Sequence, residues 1–280
     1  MKKILNPTFI RTIFFIAIFS LYGHLAIGQV HIAPTAVYLN NKKSSGQITL
    51  HNSSDDPQKI NIELLYGYPD TDEEGKVFLN IFENFTDEDP SAVKFARIYP
   101  REVMLPPGEQ QTIRFVVRPP SHLKPGEYWA RPAISSSPVK GNNSDQSQGI
   151  QTRFNLIQRT ILSLNYRRGN VQTGIEVHNL EAKQAEDNSV SLFADLKRIG
   201  NAAYIGHAYV QVSQSGKVVH EEKREIAVYN DQFRKFTLEK KLTPGTYQLS
   251  LTINTNERHE EESEILPANS VTKSATIKIE

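Results

Sequence analysis

Cysteine is absent from all 280 residues, so the chain has no disulfide, no thiolate nucleophile and no thiolate metal ligand. Its stability must therefore come from apolar burial and backbone hydrogen bonds. After the N-terminal region, no apolar run approaches the roughly 20 residues needed to cross hydrocarbon. An excess of one charge is also missing, since 32 Lys and Arg face 31 Asp and Glu. That balance gives no global attraction to nucleic acid or to an anionic membrane. The glycine-rich phosphate loop, the G-x-S-x-G elbow and the His-Glu-x-x-His helix are all missing too. No catalytic residue, cofactor or metal is assigned, and the chain reads as a binding protein and not an enzyme.

The N-terminus carries Lys2, Lys3 and Arg11, an apolar stretch from Ile13 to Leu21, and the small-x-small triplet Ala26-Ile27-Gly28. This is the layout of a cleavable secretory signal peptide over residues 1–28. Its removal leaves 29 basic against 31 acidic residues and a chain that does not span a membrane.

Short alternating segments follow, separated by Gly, Pro, Asn and Asp clusters. Examples are Gly46 to His51, Lys59 to Leu65, Gln111 to Arg118 and Tyr128 to Ser135. This pattern predicts an all-β chain of two consecutive immunoglobulin-like sandwiches, 29–167 and 168–280. Eight further segments between Gly174 and Ile279 supply the second sandwich. Leu123-Lys124-Pro125-Gly126-Glu127-Tyr128 recurs one domain length later as Leu242-Thr243-Pro244-Gly245-Thr246-Tyr247. Each copy is expected to place a tyrosine at a sandwich corner.

Asn52 to Pro57 reads as a hairpin loop, and Lys140 to Gly149 as a mobile polar loop. His220-Glu221-Glu222 and His259-Glu260-Glu261-Glu262 put one imidazole beside several carboxylates. Neighbouring strand residues point to opposite faces, so both read as solvated edges and not as metal sites. The longest strand-like run is Ile150 to Tyr166, with Arg167 to Asn170 after it as an interdomain hinge. An apolar strand after such a loop is either an ordinary central strand or an edge that pairs with an incoming chain.

Four blocks in order resemble the PapD-like periplasmic pilus (fimbrial) chaperone family, as an atypical member. They are Tyr99-Pro100 followed by Leu105 to Arg114, the Asn52-Ser53 turn, Glu127-Tyr128-Trp129, and Leu164 to Arg167. The resemblance implies a chaperone that binds exported pilus or surface-protein subunits by β-strand donation, with an outer-membrane usher as a possible further partner. It places the client-strand ladder on Phe154, Leu156 and Gln158 and an interdomain ion pair on Glu127 and Arg167. The family's basic pair that anchors the client's terminal carboxylate falls on the neutral Ala36 and Ser163, which leaves Arg159 as the nearby candidate anchor. The expected location is the periplasm, with the cell surface as the alternative. The competing reading is a structural envelope module that binds surface proteins or cell-wall glycan through a sandwich face, with Tyr128 and Trp129 available to stack on sugars.

Overall fold

The computed structural model describes residues 30–139, 156–256 and 264–280. The expected signal peptide, the expected loop 140–149, Phe154 and the His259 cluster lie outside the described residues.

Eleven strands build the first sandwich. They are β1 (Val30–Ala33), β2 (Ala36–Asn40), β3 (Ser45–Asn52), β4 (Gln58–Thr71), β5 (Val77–Phe82), β6 (Ala96–Tyr99), β7 (Glu102–Leu105), β8 (Gln110–Val117), β9 (Gly126–Pro138), β10 (Gln158–Ile161) and β11 (Ser163–Arg168). One sheet runs β1-β3-β8-β6, and the other runs β2-β11-β9-β4-β5, with β10 on β9 and β7 on β4. Alternation sets the inner faces: Ile48 and Leu50 of β3, Ile113 and Phe115 of β8, Ile60 of β4 and Leu164 of β11 are fully buried between the sheets. Each such side chain contributes about 1.5–3 kcal/mol of burial.

The second sandwich contains β12 (Thr173–Gln184), β13 (Val190–Gly200), β14 (Tyr204–Gln214), β15 (Lys217–Val228), β16 (Gln232–Thr237), β17 (Gly245–Asn254) and β18 (Val271–Ile279). Its sheets are β12-β13-β16 and β15-β14-β17-β18. The repeated Pro-Gly-x-Tyr turns do the same work in both halves. Tyr128 donates its hydroxyl to the Lys124 carbonyl at 2.9 Å, and Tyr247 donates to the Thr243 carbonyl at 3.0 Å.

The structure corrects the sequence reading at several points. Asn52 to Pro57 is not a hairpin loop: β3 pairs with β1 and β8, while β4 pairs with β5, β7 and β9 in the opposite sheet. The turn carries the chain from sheet to sheet. Asn52 holds it from the inside, with its buried amide donating to the Leu105 and Asp56 carbonyls at 2.9 Å each.

Among the described residues the longest strand is β4, with 14 residues. The run ending at Tyr166 is divided at Leu162 into β10 and β11. Leu162 donates its N–H to the Pro132 carbonyl at 2.9 Å, but proline has no N–H to return, so the ladder breaks there without a change of register. Arg167 and Arg168 belong to β11, and the left-handed turn falls on Gly169 at φ 64°. The eight segments expected in the second sandwich become seven strands among the described residues, because Lys217 to His220 runs on through Val228 as one strand, β15.

Candidate functional site

β9 is central to its sheet. On one side it pairs with β4, and on the other first with β10 and then with β11. β11 is covered in turn by β2, which runs parallel to it from Ser163 opposite Ala36 to Arg167 opposite Asn40. β10 has no such cover. Among the described residues its only strand partner is β9, so the outer backbone groups of Gln158 to Ile161 form an open edge that ends where β2 begins.

The two residues before this edge, Leu156 and Ile157, are 63% and 64% exposed. By two-residue alternation, Leu156 and Gln158 fall in line with the buried Leu164 and Tyr166, on the side of the first core. Of the three ladder positions, then, Leu156 is exposed, Gln158 opens β10 half-buried, and Phe154 lies outside the described residues. Arg159 is on the opposite parity, where its guanidinium is engaged by Glu63 on the outer face.

Another arginine stands at the closed end of the edge. Arg131 of β9 is 6% exposed and donates from Nε to the Gly67 carbonyl at 3.0 Å and from Nη1 to Ser163 Oγ at 2.7 Å. Its Nη2 is buried without a hydrogen-bond partner, and Arg131 forms no ion pair among the described residues. The guanidinium stacks over the Tyr229 ring, with Cζ 4.8 Å from the centroid. A buried cation held by neutral groups alone is costly and is matched best by an incoming anion. Motif comparison passes over Arg131, because the resemblance points to Ala36 and Ser163 on the neighbouring strands. The one signal in the sequence is a charge in an apolar strand, on the parity that faces away from the first core, with Glu127 and Trp129.

The structure brings Glu127 and Arg167 together as cross-strand neighbours of β9 and β11. Arg167 Nε donates to Glu127 Oε2 at 2.7 Å, and the two side chains are 11% and 1% exposed. Both residues also reach the second sandwich. Glu127 Oε1 accepts from the Ala203 N–H at 3.4 Å, the Glu127 N–H donates to the Asn201 carbonyl at 2.9 Å, and Arg167 Nη1 donates to the Glu264 carbonyl. Arg167 also lies over the Tyr38 ring. Burial, with help from Tyr229 and Glu127, pushes the Tyr38 phenol far above its ordinary range, so it stays protonated.

Beside this pair, Tyr66, Trp129, Ala203 and Tyr229 form a small core of their own between the sandwiches. Trp129 meets Tyr229 edge-on at 4.9 Å between centroids, and Tyr68 stacks with Tyr229. At 2% exposure Trp129 offers no face to a sugar, and the Tyr128 hydroxyl is engaged at its corner. Gln232 adds a bond to the Pro69 carbonyl at 2.7 Å.

The His220 segment lies on β15, an edge strand of its sheet, but the face that carries Glu222 is buried and not solvated. Residues two apart share a face, so His220, Glu222 and Arg224 turn inward together. Buried Glu222 accepts from His220 at 2.7 Å, from Arg224 at 2.6 Å and from the Glu239 N–H at 2.7 Å. Burial raises its carboxyl, but these donors outweigh that and hold it below the usual value. Among the described residues no group of three His, Cys, Asp or Glu is placed to hold a metal, and no helix is long and apolar enough to cross a membrane.

No family model and no curated protein matches the chain. Solved structures similar to it include the YadV chaperone, at 14% identity and TM-score 0.45 over 89% of this chain and 99% of that one. Another is a chain of the CsuC–CsuE chaperone–tip adhesion subunit pre-assembly complex of Acinetobacter baumannii, at 13% identity and TM-score 0.45 over 88% and 97%. A third is a chain of the Salmonella enterica SafA pilin–SafB chaperone complex, at 12% identity and TM-score 0.40 over 88% and 96%. These are likenesses of build, and no residue role is transferred from them.

Proposed function

We propose that this chain is an exported, periplasmic chaperone-like protein that binds an extended segment of an exported pilus or surface-protein subunit along β10. The observation that carries the reading is the open edge of Gln158 to Ile161, with exposed Leu156 and Ile157 leading into it and β2 closing it at Ser163. An added strand gains main-chain hydrogen bonds from the edge, while its alternate side chains meet the line of Leu156 and Gln158. Neither nucleotide nor metal takes part in such binding.

Arg131 supports a direction for the client. A strand running parallel to β10 ends beside Ser163, so its terminal carboxylate arrives next to the guanidinium. An antiparallel strand would bring an ammonium group to the same place. Arg131 thus takes the anchoring role in place of Arg159, whose charge is already matched by Glu63. Glu127, Arg167 and the Trp129 cluster hold the two sandwiches at one angle, which keeps Tyr229 against Arg131.

The test is capture of exported proteins by the mature chain and by a Leu156→Asp, Ile157→Asp variant with unchanged circular dichroism. Loss of a specific client from the folded variant supports strand addition. Retention of that client moves its binding to another surface and favours the structural envelope module.

A further inference from the structure

β5 is an edge of a different kind. It pairs with β4 alone, from Tyr66 opposite Phe82 to Thr71 opposite Val77, and among the described residues nothing pairs with its outer side. Three consecutive residues, Val77, Phe78 and Leu79, are 40%, 45% and 37% exposed, so apolar surface shows on both faces of the strand. Exposed apolar edges are normally shortened, bulged or covered, because they template pairing with other chains. Here the strand is held in place. Gly67 lets β4 approach so closely that an added Cβ would lie 2.3 Å from the Asn80 carbonyl oxygen. The hairpin tip is pinned to the second sandwich by the Lys235 N–H, which donates to the Gly75 carbonyl at 2.9 Å.

The chain on either side of the edge is acidic, although Asp87 is paired with Lys94 and the tip meets Lys235. Asp70, Asp72, Glu73 and Glu74 precede the strand, and Glu83, Asp87, Glu88 and Asp89 follow it, while Lys76 is the one basic residue between positions 70 and 89. A second copy would set Lys76 against Glu83 in antiparallel pairing, but it would also bring the two acidic hairpin tips onto acidic loops. Like charges across a strand pair are unfavourable, so the charge pattern selects a different occupant.

We infer that β5 is a second docking edge, which takes as an added strand an extended apolar segment with basic residues at its ends, from another polypeptide. The apolar middle covers Val77, Phe78 and Leu79, and the basic ends face the two acidic flanks. This edge is separate from β10 and does not depend on client binding there.

The test uses the full mature chain and two synthetic peptides of six alternating Val and Thr residues, matching the six residues of β5, with a Lys pair or a Glu pair at each end. Affinity is read by titration and location by hydrogen exchange. The Lys-ended peptide is expected to slow exchange across Val77 to Phe82 and to bind at least about tenfold more tightly than the Glu-ended one. Glu73→Lys with Glu74→Lys, at exposed turn positions, should weaken the Lys-ended peptide by about tenfold and narrow the difference. Equal affinities, absence of binding, protection on β10 in place of β5, or self-association of the chain through β5 would each overturn the proposal.

Discussion

Arg131 and Ser163 meet where the open edge of β10 gives way to the covered strand β11: Arg131 Nη1 donates to Ser163 Oγ at 2.7 Å, while Nη2 of the same guanidinium is buried with no partner. Two neutral oxygens from the first sandwich and one aromatic face from the second hold the charge. The guanidinium is therefore fixed in position and electrostatically unmatched, which suits capture of a carboxylate at the end of an added strand.

Arg131→Met tests this directly. Losing the donors leaves the Gly67 carbonyl unsatisfied, at about 1–3 kcal/mol, partly offset by removing a buried charge. Thermal unfolding should show a modest loss. Client affinity should fall by about tenfold or more, and amidation of the client's C-terminus should have the same effect on the wild type. Arg131→Lys should not restore binding, because an ammonium cannot make the forked, stacked contacts of the guanidinium.

The Glu127 and Arg167 pair carries a larger penalty when broken from one side. Glu127→Gln or Arg167→Met alone should cost about 3–5 kcal/mol in urea unfolding, since each leaves a buried charge without its partner. The double variant should lose less than the sum of the two, and that coupling is what a double-mutant cycle measures. X-ray scattering should show a wider range of angles between the sandwiches in either single variant.

The chain's only tryptophan, Trp129, sits in the interdomain core against Tyr229. Its emission should therefore report on the junction. Tyr229→Ala removes the ring that covers it, and the expected outcome is a red-shifted emission with unchanged far-ultraviolet circular dichroism.

Much of the fold is legible from the alternation of apolar residues, because a half-buried strand must put every second side chain inward. The two tyrosine corners follow from the repeated Pro-Gly turns. Other features depend on contacts distant in sequence. Whether Asn52 closes a hairpin or carries the chain between sheets is decided by the Leu105 carbonyl, which its amide reaches across 53 positions. The break at Leu162 comes from Pro132 on the neighbouring strand. Arg131 hides within an apolar strand, and its burial depends on Tyr229 of the second sandwich, whose ring it lies over.

Glu222 illustrates the same point and sets an acid limit on the second sandwich. Burial opposes its charge, and the donors His220, Glu239 and Arg224 depress its pKa below the ordinary carboxylate value. A group depressed on folding contributes stability that is complete above the unfolded value of roughly 4.3 and is lost as pH falls through the folded one. Unfolding measured from neutral pH down to that range should show an acid-dependent loss that is smaller in Glu222→Gln.

The most direct test of the central claim is hydrogen exchange of the mature chain with and without a captured client, read at Gln158 to Ile161. Strand addition requires the outer amides of β10 to become protected on binding, with the Leu156→Asp, Ile157→Asp variant showing no such protection. A client that binds tightly while those amides exchange as fast as in the free protein would contradict the assignment of β10 as the docking edge.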